Sequence, residues 1–529
     1  MATDARLTPA GAASAPVAHR RISPEAAALW LIGVSALGRL AVAWGNGLCF
    51  GESYYFSCAL HPSLSYFDHP PLSMLLGTLS LLASGEAGRL VLRWPFIAMF
   101  AGTTWLMFLL GRRLFGPWPG FHAALLLNLA PVFSLSVGIY LQPEGPLMFF
   151  SLACVWCLAH LLVGPPPRRP LAWWTAAGAM LGLAMLSKYA AVLLVAGAGL
   201  YVLTRREQRR WLAGPGPFVA LGVAILVFSP VLVWNAQHRW ISFIFQSTRG
   251  LDDYGGIHLD WVLLNIAGQS LTLLPWLWGA LVVELIASFG RRPPQPERRF
   301  VAWLAVTPIL LFTAVAAYAN TSLHHFHWPT PGYLLLFLPL GDTLHRGLTR
   351  GRAAYRWSLG ATAVIALLAM TVLTTHIGTG WLKDLPGLSR TLTGIEDPTF
   401  ECVDFTGLER AFAERGLLDS KGVFVFSDWW FRAGKVDYAL GGKLPVLAFT
   451  RNDPRAFAFF DRSERWLGKD GILVTTKTTA AQVADYYGRY FAHISPLGEV
   501  DVGRAGRSEF KLYLYRCENL QVPYPQPYG

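Results

Sequence analysis

Apolar runs fill the first three quarters of the chain, longer and more continuous than the core of a soluble domain needs. A bilayer core about 30 Å thick takes roughly 20 apolar residues per helix. Stretches near that length stand at 26–44, 89–110, 119–140, 145–163, 171–187, 189–203, 214–234, 261–287, 300–318, 331–345 and 356–376. They predict a polytopic α-helical membrane protein with about eleven spans. After residue 376 the rhythm changes. Short β-rich runs at 423–426, 445–449, 472–475 and 510–515 alternate with helix-like segments at 405–414 and 480–491, the pattern of a small α/β domain. Three parts follow: an Ala/Pro/Ser-rich segment, 1–22, expected to be disordered; a membrane domain, 23–376; and a C-terminal α/β domain, 377–529. Arg39 interrupts the first apolar run and no clear small-residue cleavage site follows it, so 26–44 reads as an uncleaved span. No repeat of 20 to 50 residues marks a solenoid.

Composition agrees with the pattern: 53% of the residues are hydrophobic and 14% charged, with a mean hydropathy of +0.39. Charge adds an orientation. Residues 380–529 hold 19 Lys+Arg and 19 Asp+Glu, so the formal excess of +12 belongs entirely to the first 379 residues. There the basic residues crowd into alternate loops, at Arg112/Arg113, Arg168/Arg169, Arg205 to Arg210, Arg291 to Arg299 and Arg346 to Arg356. Such loops are cytoplasmic by the positive-inside rule, which puts the N-terminus inside and the α/β domain outside. Short juxtamembrane arginines face anionic lipid headgroups, so the basic balance does not indicate nucleic acid. No Gly-rich phosphate loop opens a helix of the α/β domain.

Six cysteines fall in three pairs. Cys49 with Cys58, and Cys402 with Cys517, can each bridge in an oxidising compartment, with free buried thiols as the other reading. Cys154 and Cys157 sit inside an apolar span and read as packing.

Ionisable groups near membrane depth are costly and therefore candidates for function. Here they gather in the loops assigned to the outer side: Gly51-Glu52-Ser53-Tyr54-Tyr55 and Tyr66-Phe67-Asp68-His69-Pro70-Pro71; Gln142-Pro143-Glu144; Ser187-Lys188-Tyr189; and His324-His325-Phe326-His327-Trp328-Pro329. In that order and on that one side, these motifs resemble the GT-C superfamily of integral-membrane glycosyltransferases. The likeness is to the bacterial family 39-like group related to protein O-mannosyltransferases and lipid A aminoarabinose transferases. The resemblance implies an enzyme of the bacterial cytoplasmic membrane. It would move a glycosyl group from a polyprenyl-phosphate sugar to a lipid, glycan or protein acceptor at the outer face. It implies Glu52 and Glu144 as catalytic carboxylates, and Tyr55, Asp68, His69, Lys188, Arg89 and His327 as substrate contacts. Lys188 would meet the lipid phosphate, with Arg89 and Arg93 as further phosphate candidates. No cofactor is demanded; a divalent metal ion held by Asp68 and His327 is the one candidate.

One departure matters. The family pattern usually has Asp-Glu before the aromatic pair, and this chain has Gly51-Glu52, so either Glu52 acts as the base or activity is altered or lost. For each site residue a structural role competes: Glu52 at a helix start, Asp68 bonding its loop, Lys188 snorkelling, and Arg89 as a membrane anchor. Asp252-Asp253-Tyr254 reads as a solvated acidic turn. Two other functions stay open at this point, a lipid or sugar transporter and a non-catalytic envelope protein with the same fold. Clustering on one face rather than at mid-membrane, and the lack of repeat halves, weigh against a transporter.

Overall fold

A computed structural model of the protein describes residues 22–248, 256–318, 325–388, 397–451 and 453–528. Residues 1–21 of the segment expected to be disordered, the Asp252-Asp253-Tyr254 turn and His324 lie outside the described residues.

The membrane domain comprises α1 (Pro24–Gly45), α2 (Phe50–Leu60), α3 (Leu72–Ser84), α4 (Arg89–Phe115), α5 (Pro117–Leu129), α6 (Glu144–Leu162), α7 (Pro170–Ser187), α8 (Leu193–Thr204), α9 (Gly216–Gln237), α10 (Ile241–Thr248), α11 (Leu259–Leu273), α12 (Pro275–Gly290), α13 (Pro296–Val315), α14 (Thr330–Thr349) and α15 (Ala353–Thr379). Among the described residues, seven of these helices are long and apolar enough to cross a bilayer, α1, α4, α6, α7, α9, α13 and α15. Two bent pairs raise the number to nine if each is one span: the 189–213 stretch, bent by 117°, and α11 with α12, bent by 108°. The chain is thus a multi-pass membrane protein. The stretches at 119–140 and 331–345 are helical but fall outside this set. In the first, proline supplies no amide hydrogen and breaks the helical ladder: α5 stops before Pro131 and a π-helical turn, Val132–Val137, follows. Buried Arg39 of α1 fastens that turn, donating to the Ser134 carbonyl (3.0 Å), the Ser134 hydroxyl (2.9 Å) and Asn128 Oδ1 (2.8 Å).

Local chemistry explains the boundaries. Ser23 caps α1 by accepting from the Ala26 amide, with Pro24 in the first turn, a favoured start. Within the bundle small residues let backbones touch, as is common for membrane helices. A Cβ on Gly178 of α7 would come within 2.2 Å of the Ala220 carbonyl of α9. Buried Arg298 in α13 donates to Glu284 (2.5 Å) in α12 and Asp342 (2.5 Å) in α14, pinning three helices where apolar packing alone has little directionality.

The 45–70 stretch, expected as a loop, contains α2, and α3 follows it at 13 residues, roughly 20 Å at 1.5 Å per residue and too short to span. Most of α2 is buried because the C-terminal domain lies on it. That domain holds α16 (Leu408–Glu414), β1 (Val423–Ser427), α17 (Trp430–Ala439), β2 (Val446–Ala448), α18 (Phe457–Phe460), β3 (Asp470–Thr475), α19 (Ala480–Tyr487), β4 (Phe491–Arg504) and β5 (Arg507–Leu520). The sheet order is β2-β1-β3-β5-β4, parallel from β2 through β3 and antiparallel beyond. Alternating side chains split into two cores. Phe424, Phe426, Leu473 and Cys517 face one side. Val425, Ile472, Leu512 and Leu514 face the other, in one cluster with Tyr54, Cys58, Tyr66 and Met74 of the α2–α3 region.

Neither Cys49–Cys58 nor Cys402–Cys517 is bridged, and Cys58 and Cys517 follow the free-thiol alternative. The disulfide joins Cys49 to Cys402, and Cys58, Cys154, Cys157 and Cys517 are buried free thiols. Cys58 lies on the α2 surface covered by the domain, and Cys517 lies in the core on the sheet face turned away from α2. Cys49, just ahead of α2, instead meets the short helical turn at Pro398–Cys402.

Candidate active site

Where the domain meets the bundle there is a cavity of about 480 Å³. Its polar wall includes Tyr55, His69, Glu144, Lys188, His327 and Arg455. Its apolar wall runs through Leu147, Val192, Leu193 and Phe312 to Leu311, which is 45% exposed on the outer surface of α13. The cavity therefore joins a charged floor to the lipid-facing surface of the bundle.

Glu144 opens α6 directly after Pro143. Lys188 follows the last residue of α7, where Ser187 ends the helix and a short 3-10 turn begins. Two spans thus deliver a carboxylate and an ammonium to the same point, and Lys188 Nζ donates to Glu144 Oε1. His327 Nε2 lies 3.8 Å from that oxygen. Both charges are mostly shielded, with 12% of the Glu144 and 18% of the Lys188 side chain exposed, so their field is screened less than in water. His69 packs against the edge of Tyr55, ring centroids 5.5 Å apart.

Four residues singled out in the sequence, Glu52, Arg93, Asp68 and Arg89, do not line the cavity. Glu52, expected as a base, is 2% exposed and saturated. It accepts from Arg93 Nε (2.8 Å), Arg93 Nη2 (2.5 Å), the Cys49 amide (3.0 Å) and the Leu141 amide (3.1 Å). Arg93, a phosphate candidate in the sequence, is likewise consumed by Glu52 and by the Ala43, Asn46 and Gly47 carbonyls. Asp68 is fully buried, accepting from the Tyr54 hydroxyl (2.7 Å) and Arg455 Nη1 (2.9 Å). Arg89 donates to Asp404 of the C-terminal domain (2.8 Å) and lines a separate cavity.

The expected metal pair is also not assembled. Asp68 is paired with Arg455, His327 stands beside Glu144, and among the described residues no group of three or more His, Cys, Asp or Glu side chains is arranged to hold a metal ion. The donor set does not fit that role.

Arg455 escaped the sequence reading. It is one of 19 basic residues in a charge-balanced domain, and nothing local distinguishes it. Its backbone is left-handed (φ 49°), a conformation that costs a residue with a Cβ about 1 kcal/mol. The guanidinium lies 3.9 Å from the centre of the Trp430 ring and bonds Asp453 (3.1 Å) as well as Asp68. Burial opposes its charge, but Asp68 and Asp453 more than offset this and hold its pKa above the usual arginine value. The C-terminal domain thus contributes Arg455, Trp430 and Phe431 to the cavity. Gly51 also borders it, and a Cβ there would meet only Tyr55 Cε2, at 3.8 Å.

Known proteins resemble this chain in sequence and in fold. Residues 68–234 match the model of a family described as dolichyl-phosphate-mannose-protein mannosyltransferase. The lipid A galacturonosyltransferase RgtD of Rhizobium johnstonii is 26% identical over 288 residues, which are 54% of this chain and 58% of that protein. The match thus spans less than two thirds of that curated relative. The crystal structure of ArnT from Cupriavidus metallidurans bound to undecaprenyl phosphate aligns over 92% of this chain and 97% of that one, at 15% identity and a TM-score of 0.58. Its apo form gives a TM-score of 0.59. The chain has the GT-C fold, with helical membrane domain and C-terminal sheet domain in the same order.

Proposed function

We propose that the protein is a glycosyltransferase that takes its sugar from a polyprenyl-phosphate carrier and delivers it to an envelope acceptor on the side of the C-terminal domain. The observation that carries this reading is the Glu144–Lys188 pair, with His327 beside it, on the floor of a cavity whose other wall reaches the lipid surface. A lipid-linked phosphate needs both features: a cation at the headgroup and an apolar exit for the chain.

In the reaction an acceptor hydroxyl attacks the anomeric carbon. The new C–O bond forms as the bond from that carbon to the carrier phosphate breaks, and the phosphate leaves with the electron pair. Lys188 stabilises the charge gathering on the phosphate, a contribution worth about 10²–10³ in rate for comparable donors. Glu144 accepts the hydroxyl proton, and His327 and His69 orient the substrate around it. Tyr55 packs against the sugar. Glu52 is a positioning residue, tying α2 to the Leu141 amide three residues before Glu144. Asp68 positions Arg455. A transporter would have no use for a carboxylate and lysine confined to one end of the bundle.

For the transferred group, the name of the relative RgtD favours a hexuronosyl unit, and for the acceptor it favours lipid A. Gly51 supports the acidic sugar, because the family pattern has a carboxylate there and its loss removes a negative charge from a wall shared with His69 and Arg455.

The test uses the full chain in liposomes with polyprenyl-phosphate galacturonate and lipid A. Release of polyprenyl phosphate in step with a mass increase of one hexuronosyl unit on lipid A is expected. Donor that crosses the membrane unchanged, or binds without being consumed, overturns the assignment.

A further inference from the structure

Arg89 was singled out as a phosphate contact, yet it stands outside the cavity that holds Glu144 and Lys188. It borders a second cavity, of about 360 Å³, walled by Gly45, Gly47, Gly378, Asp404, Thr406 and Arg504. This space sits where the ends of α1 and α15 and the start of α4 meet the C-terminal domain.

Charge there is unbalanced. Arg504 and Lys383 are matched by two carboxylates: Asp397 and Glu509 bind Arg504 at 2.5 and 2.8 Å, and both also pair with Lys383. Asp404 faces two cations, Arg89 (2.8 Å) and Lys435 (3.7 Å), so one positive charge is left over. Lys435 is fully enclosed, while 34% of the Arg89 side chain is exposed; the surplus is presented through Arg89.

What lies next to the cavity distinguishes the ligand. Trp44, beside Gly45, is 73% exposed, and Leu37 and Leu40 continue the outward apolar face of α1. Leu373, four residues before Ile377 of the cavity wall, is exposed on α15. A polar, cationic recess directly above exposed apolar helix surface fits the headgroup and chains of an anionic amphiphile. Basic pockets at helix ends recognise such headgroups.

We propose that this recess is a binding site for an anionic glycerophospholipid of the leaflet on the side of the C-terminal domain, separate from the donor cavity. The phosphodiester meets Arg89, the headgroup hydroxyls meet the glycine-lined backbone, and the acyl chains lie along α1 and α15. The lipid would fasten the ends of three helices to the segment that follows Cys402.

Native mass spectrometry of the full-length protein, delipidated and then offered phosphatidylglycerol or phosphatidylcholine, tests this. The wild type should retain one phosphatidylglycerol and no phosphatidylcholine. Arg89→Gln should weaken retention at least tenfold. Because that variant also strips Asp404 of a partner, Thr406→Glu provides a second probe: Thr406 is exposed on the cavity wall, and an added negative charge there should weaken retention as strongly. Lys188→Ala, which alters the donor cavity, should keep the phosphatidylglycerol. Equal retention of the two lipids, or full retention by Thr406→Glu, overturns the proposal. So does displacement of the phosphatidylglycerol by polyprenyl phosphate at donor-site concentrations, which would make this recess part of the donor path. Retention is read without turnover, so its failure is distinct from failure of the transferase reading.

Discussion

Glu52 and Glu144 each sit against a cation near the same surface, yet substitution should affect them in opposite ways. Glu144→Gln keeps the size of the side chain and removes the proposed proton acceptor. Turnover should fall by about 10²–10⁴, the usual range for a general base, while the melting temperature in detergent moves little. Glu52→Gln leaves Arg93 charged and buried, and breaking a buried pair costs about 3–5 kcal/mol. A clear drop in melting temperature is expected there, with the remaining folded protein still active. Loss of activity at unchanged stability in Glu52→Gln would return the base role to Glu52. The same contrast shows what sequence can reveal about single residues. Glu144 and Lys188 stand out because each is a lone charge between apolar segments, whatever the fold. The Arg93–Glu52 and Arg455–Asp68 pairs span 41 and 387 residues, and no local pattern reports a partner so far away.

Helix α17 is the element through which the C-terminal domain grips the site. A Cβ on Gly434 would stand 2.8 Å from the Tyr54 amide nitrogen of α2, so a larger residue must push the two backbones apart. Gly434→Val should shift Tyr55 and Arg455 and lower transfer at least tenfold, read as substrate turnover alongside circular dichroism that still reports a folded domain. The same helix buries two ionisable groups. Burial pushes the Asp437 carboxyl up to about 7, with the Ser57 hydroxyl drawing it partly back, so the folded protein holds a proton that the unfolded chain releases near pH 4. Stability from this group is greatest below that point and is lost as pH rises toward 7. Asp437→Asn should therefore flatten the stability curve between pH 5 and 8 and exceed the wild type at pH 8. Burial also lowers Lys435 to about 8, against the pull of Asp404 and Glu52. Its contribution has the opposite slope, rising with pH from about 8 toward the unfolded lysine value. Helix α17 was not visible in the sequence, because its polar residues are turned into an interface that periodicity does not describe. Strand β4 was missed for a related reason: its alternation is broken by the irregularity between Pro496 and Gly498, and much of it faces solvent. The long apolar helices were legible because a bilayer requires continuous runs; the short α2 and α3, placed between bundle and domain, meet no such requirement.

At the scale of the whole molecule the active cavity exists only while two bodies stay joined, since the bundle supplies Glu144 and Lys188 and the domain supplies Arg455. The joint has a covalent part, Cys49–Cys402, and a polar part close by, where Asp404 accepts from Arg89 and from the Leu48 amide (2.9 Å). The two pairings open in the sequence each stayed within one loop or one domain, whereas the bridge links positions 353 residues apart. Alkylation distinguishes the three connectivities: four thiols should react in denatured, unreduced protein and six after reduction, with Cys49 and Cys402 the pair gained. The functional consequence follows from geometry. In Cys402→Ser the domain keeps the α17–α2 contact but loses the tether at the entry to α2, so Arg455 should be held less closely over Asp68. Transfer should fall several-fold, and wild-type protein treated with a membrane-permeant reductant should fall to the same level. Cys517→Ser, which removes a buried thiol in the sheet without touching the joint, should not mimic that loss. Equal effects from the two variants would mean that the disulfide supports only the stability of the domain, and that the noncovalent contacts are enough to hold the cavity together.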